Sequence, residues 1–126
     1  MTEWVGYIPL RTGLDEFENE YNIMIPSDLK EIIQKYNKGC PKKNRIPLSN
    51  GNFTEIYRLV SFSKTGNNNV YSIMKLFEEK NIIPFAMTEN NKYVCVLGNK
   101  IVLYKIGKGV EFEICSNVTE LLQLLY

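Results

Sequence analysis

Near residue 82 the spacing of apolar residues changes from the helical repeat to the strand repeat, so the fold must combine both element types. Before that point Leu29, Ile32, Ile33 and Tyr36 fall at i, i+3, i+4 and i+7, the stripe of a half-buried helix. Leu14, Phe17 and Tyr21 repeat the pattern upstream. After it come four short apolar runs, Ile82 to Ala86, Tyr93 to Leu97, Ile101 to Ile106 and Val110 to Cys115, divided by Asn- and Gly-rich turns. In the last run Val110, Phe112 and Ile114 alternate with Glu111 and Glu113, which predicts one core face and one wet face. A closing helix follows, with Asn117 as its cap, Glu120 at the third position and Val118, Leu121, Leu122 and Leu125 as its apolar stripe. The expected fold class is α+β, an antiparallel meander packed against N-terminal, middle and C-terminal helices.

Boundaries follow from local chemistry. Thr12 is placed to cap a helix over 13–21, with Asp15 completing a capping box. Pro26, Ser27 and Asp28 open a helix over 27–38, and Gly39 suits a left-handed residue just past its end. Residues 42–55 read as irregular, with Ser49 to Asn52 as a turn, and a strand is expected near 55–61. Thr65 to Asn69 form a loop leading into a third helix near 70–80 that buries Val70, Ile73, Met74 and Phe77. Glu89-Asn90-Asn91 and Gly107-Lys108-Gly109 read as turns, and Gly98-Asn99 as a two-residue hairpin connection. With 126 residues and no linker or repeat, the chain is expected to form a single domain over 1–126.

The sequence contains no histidine, which removes the commonest general base and metal ligand and excludes Ser-His-Asp and Cys-His chemistry. Carboxylate, lysine or tyrosine catalysis stays open. Cys40, Cys95 and Cys115 are odd in number and widely spaced, a poor basis for a disulfide framework or a zinc site. Net charge is +1, with 15 basic and 14 acidic residues evenly spread, so no general field gathers nucleic acid. No run approaches the roughly 18 apolar residues of a membrane span. Met1-Thr2-Glu3-Trp4 offers no basic leader, and the chain reads as cytoplasmic.

Six pieces follow one another along the chain: the acidic helix Leu14 to Tyr21, the Ile25-Pro26-Ser27-Asp28-Leu29 helix start, Tyr36-Asn37-Lys38-Gly39, Ile83-Pro84-Phe85-Ala86, Asn91 to Cys95, and the Leu-rich end Val118 to Leu125. In this order they resemble the SUKH superfamily of Smi/Knr-type proteins. One departure is Met87 to Asn91, where the family often carries an Asp and a Gly-Asn turn. The resemblance implies a non-enzymatic protein without catalytic residues, cofactor or metal. Bacterial members resemble immunity proteins that bind a cognate toxin, often a nuclease, by stoichiometric contact. The alternative it implies is a regulatory interaction scaffold of the Smi/Knr type.

A partner-binding surface is expected among the acidic residues. Asp15, Glu16, Glu18 and Glu20 cover one side of the first helix, although a charge run is commonly just a solvated face. Glu78 and Glu79 fall at the expected C-terminal end of the third helix, where negative charge opposes the helix dipole by about 0.3–1 kcal/mol, a hint of another use. Glu111 and Glu113 share the expected wet face of the last strand. Trp4 and Tyr7 suit core docking or an interface anchor. The Lys42-Lys43-Asn44-Arg45 cluster reads as a solvated loop rather than a phosphate site. Pro26, Asn37, Gly39, Pro84, Phe85 and Ala86 are expected to serve the fold.

Overall fold

In the computed structural model, which describes residues 3–89 and 91–126, the long strands begin at Ile82 and dominate the chain to Cys115, after five short strands of two or three residues. The described residues form strands β1 (Trp4–Val5), β2 (Cys40–Pro41), β3 (Arg45–Pro47), β4 (Phe53–Glu55), β5 (Arg58–Leu59), β6 (Ile82–Met87), β7 (Lys92–Leu97), β8 (Lys100–Lys105) and β9 (Gly109–Cys115). The helices are α1 (Leu14–Tyr21), α2 (Ser27–Tyr36), α3 (Val70–Met74) and α4 (Val118–Leu124). Strands β5 to β9 make a five-stranded antiparallel sheet in sequence order. The fold is α+β, as the change of period predicts.

Strands β6, β7 and β8 are buried along nearly their whole length. Strands read as continuous apolar runs when both faces are covered, and here both are. On one face Phe77 packs against Tyr93 and Tyr104, ring centroids 5.8 and 4.8 Å apart. On the other, Val96 and Ile101 line a groove of about 300 Å³ together with the N-terminal ends of α2 and α4. Helix α1 joins the first layer through Phe17, which contacts Phe62 and Tyr71 edge-on. Burial of these side chains stabilises the fold by roughly 25 cal/mol per Å² of apolar area removed from water.

The edge strand β9 departs from simple alternation. Val110 pairs with Tyr104 and Phe112 with Leu103, with one register shift between them and a second between Glu113 and Cys115. Neighbouring residues of β8 point to opposite faces, so Val110 and Phe112 do too. Val110 is therefore 45% exposed rather than part of the core. The first bulge also separates the two glutamates: Glu111 reaches Lys92 on the face of Val94 and Val96, and Glu113 reaches Lys100 on the face of Val102 and Tyr104. The single wet face expected for them does not exist.

Other boundaries also differ. Helix α1 starts at Leu14, so Gly13 at φ +100° is its cap residue, with no side-chain cap bond; Thr12 sits one residue too early and Asp15 caps nothing. Helix α2 stops at Tyr36, and the Tyr36 carbonyl accepts from the Gly39 N–H at 2.8 Å, closing a tight turn. The left-handed residue in that turn is Lys38 at φ +69°, not Gly39. Gly39 is needed for space instead: a Cβ there would lie 2.8 Å from Tyr7 Cβ and 2.9 Å from the Tyr36 oxygen. Asn37 is buried, and its side-chain oxygen accepts from the Phe62 N–H at 3.0 Å.

Residues 42–55 are not irregular. Strands β3 and β4 pair as a hairpin around the expected turn, closed by Leu48 N–H to the Asn52 carbonyl. The strand expected over 55–61 breaks because Ile56 N–H still bonds Asn44 while Tyr57 N–H already bonds Met87. Helix α3 is half the expected length and ends at Met74. Two tight turns follow, from Ile73 and Met74 to the N–H groups of Leu76 and Phe77. These turns swing Phe77 onto the tyrosines of the sheet. Asn117 caps α4 as expected, accepting from the Glu120 N–H at 2.8 Å. The Gly98-Asn99 connection is also as expected, and the turn before β7 closes from Lys92 N–H to Glu89; Asn90 itself lies outside the described residues.

Candidate functional site

The eight acidic candidates fall into two groups according to what already holds them. Glu18 is the most committed. One carboxylate oxygen accepts from the Ile25 N–H at 2.8 Å and the other lies 3.4 Å from Lys30, with the side chain 10% exposed. It fastens the α1–α2 connection and is a structural residue. Glu16 pairs with Lys64 at 3.1 Å, whose ammonium also sits over the Tyr71 ring. Glu111 lies 2.9 Å from Lys92 in an ion pair that misses hydrogen-bond geometry, and Glu113 pairs with Lys100 at 3.0 Å.

Four are less encumbered. Asp15 is exposed near the α1–α2 loop. Glu20 is only 3.9 Å from Lys64, whose nearer partner is Glu16. Glu78 and Glu79 are exposed and make no ion pair among the described residues. They do not end a helix, since α3 has stopped at Met74. They stand on a ridge between Phe77, packed into the sheet, and Asn81, which takes φ +61° to turn the chain into β6.

The ridge divides two grooves. One, of about 470 Å³, runs between the end of α1 and residues 77–81, bringing Glu20, Glu78 and Glu79 together over Ile23, Met74 and Phe77. The other, of about 440 Å³, lies between the ridge and the β8–β9 turn, where Leu76, Tyr104 and Ile106 meet Lys108. Leu76, in its lining, is 53% exposed. The carboxylates act on their neighbours: burial first, then Glu79 and Glu78, raise the Tyr104 phenol above its ordinary value. Burial and then Glu20 do the same to Tyr21.

Sequence reasoning named Glu20, Glu78 and Glu79 separately but missed the groove that brings them together. It also missed Lys64 and Lys30, which silence two of the acids on α1. Trp4 stacks on Tyr36 at 5.0 Å and 8°, and β1 pairs with β2, so the N-terminal aromatic docks on the fold. Arg45 lies over the Phe53 ring at 4.8 Å, within strand β3 rather than in a solvated loop. Burial raises the thiols of Cys40, Cys95 and Cys115, the last to about 11. No helix among the described residues is long and apolar enough to cross a membrane.

A family model described as SMI1 / KNR4 family (SUKH-1) matches residues 12–124, nearly the whole chain. No curated protein and no solved structure matches it.

Proposed function

We propose a function from one premise: the chain belongs to the SMI1/KNR4 family (SUKH-1). Proteins of that kind are immunity-type or Smi/Knr-type proteins, and the reading for this chain is an immunity protein that binds a cognate toxin stoichiometrically and covers its working surface. In this reading it is not an enzyme, uses no cofactor and acts in the cytoplasm as a single domain. The observation that carries the choice of surface is the pair Glu78 and Glu79, exposed and without an ion pair among the described residues. Glu20 and Asp15 extend that surface. Glu16, Glu18, Glu111 and Glu113 contribute less, because lysines of the chain already compensate them. Charge placed this way sets encounter rate and partner choice.

The test is co-expression with the toxin encoded by the neighbouring gene. Restored growth and a one-to-one complex on gel filtration are the expected results. A toxin that stays lethal and elutes separately from the protein refutes the immunity role.

A further inference from the structure

We infer that the groove between the end of α1 and residues 77–81 receives a lysine- or arginine-bearing loop of a partner protein. The cationic head lies among Glu20, Glu78 and Glu79, and the methylene stem rests on Ile23, Met74 and Phe77. This rests on the reading above that the chain works by binding another protein.

Two properties of the groove select the occupant. Its charge is one-sided: three carboxylates face one ammonium, Lys80. Lys64, 3.1 Å from Glu16 and 3.9 Å from Glu20, offsets Glu20 in part and leaves Glu78 and Glu79 as the pair without an ion pair among the described residues. Its floor is apolar, formed by half-buried side chains of the core margin. Lysine and arginine have this dual character, a charged head on a hydrocarbon stem. A wholly apolar segment would strip water from the carboxylates with nothing in return. Nucleic acid is repelled. A second copy, docked about a two-fold axis, would set Glu78 and Glu79 against themselves. The neighbouring groove is a poorer host, because Lys108 already supplies its cation.

The probes are two capped peptides, Lys-Leu-Leu-Lys and Glu-Leu-Leu-Glu, titrated into the full ¹⁵N-labelled chain. The lysine peptide is expected to move the amide signals of residues 20–23 and 74–81 saturably, and less at high salt. The glutamate peptide should leave them in place. The double variant Glu78→Lys/Glu79→Lys should weaken the lysine peptide by about tenfold or more, with Glu55→Lys, exposed on β4, as an unaffected control. Shifts spread equally over Glu16, Glu55 and Glu113, or affinity within twofold in the double variant, overturn the proposal. A melting curve shows whether the variant folds, and both substitutions lie on exposed residues outside helix and strand. Co-expression separates the two readings. If the double variant still protects fully against the toxin, the groove proposal fails and immunity stands; if the lysine peptide seats in the groove but no toxin is bound, the reverse holds.

Discussion

Two adjacent residues should respond to substitution with opposite signs. The turn after α2 runs Tyr36-Asn37-Lys38-Gly39, with Asn37 at φ −48°, ψ 131° and Lys38 at φ +69°. A bond of 2.8 Å from the Gly39 N–H to the Tyr36 carbonyl closes it. These features match a type II turn, whose third position favours glycine. The left-handed region costs a side chain about 1–2 kcal/mol, and the added freedom of an unfolded glycine returns about 0.4–1 kcal/mol of that. Lys38→Gly should therefore stabilise the protein by roughly 0.5–1 kcal/mol. Gly39→Ala should destabilise it by about 1–3 kcal/mol. Its new Cβ would stand 2.8 Å from Tyr7 Cβ and 2.9 Å from the Tyr36 oxygen, and the second is backbone already fixed by a hydrogen bond. Gly39→Asn discriminates further. Asparagine is well tolerated at a left-handed position, but here its larger side chain makes it at least as harmful as alanine. Urea titrations followed by far-ultraviolet circular dichroism measure all three, and each kcal/mol corresponds to roughly 3–5 °C in Tm for a chain of this size. If Lys38→Gly destabilises while Gly39→Asn is neutral, Gly39 is the left-handed cap and the packing argument is wrong.

Asn37→Ala leaves the Phe62 N–H buried without its acceptor and should cost about 1–3 kcal/mol; hydrogen exchange at the Phe62 amide should accelerate, and an unchanged rate would count against the bond. Glu18→Gln should cost about 1 kcal/mol through its weakened bonds to Ile25 and Lys30, and urea titration would show it; an unchanged midpoint would remove Glu18 from the α1–α2 fastening. The Cys115 thiol, held at about 11 by burial against an ordinary 9.0, keeps its proton in the folded state where the unfolded chain loses it. Its contribution to stability is complete below pH 9 and disappears as pH rises towards 11. Cys95 acts in the same direction. Cys115→Ala should therefore flatten the fall of Tm between pH 9 and 11, and equal slopes for the two proteins would remove the thiol from the account.

The fold was legible where the apolar period was long and its faces consistent. The α2 stripe, the β6–β8 runs and the Asn117 cap each combine local preference with burial in the same direction. Failures came where a distant contact outweighed a local preference. The stripe Val70, Ile73, Met74, Phe77 is a helical pattern, but Phe77 gains two tyrosine rings by leaving the helix. Alternation in β9 predicts faces only while the register holds, and one bulge reverses it between Val110 and Phe112. The hairpin of β3 and β4 was hidden because each strand buries a single residue, Ile46 or Thr54, too few to show a period. The site was half legible for the same reason: carboxylates appear in a sequence, but the lysines that neutralise them come from elsewhere in the chain.

The early end of α3 links fold to site. Had the helix run to residue 80, Glu78 and Glu79 would sit in its last turn, a place where carboxylates are disfavoured. Stopping at Met74 removes that conflict and raises both residues onto a short ridge. Phe77 anchors one end of the ridge in the sheet, and Asn81 leads the other into β6. Only three residues, Glu78 to Lys80, span the two anchors, so the carboxylates are held before a partner arrives. Binding then costs less ordering entropy than a mobile acidic loop would require. The contact that defeats the helical pattern thus also fixes in place the acidic edge proposed for recognition. Phe77→Ala should expose this link. Removing the ring should destabilise the fold by up to about 3–5 kcal/mol, as for a large core aromatic. At temperatures where the variant is still folded, it should weaken the lysine peptide although no charge has changed. Unaltered peptide affinity in the folded variant would show that the ridge does not need its anchor.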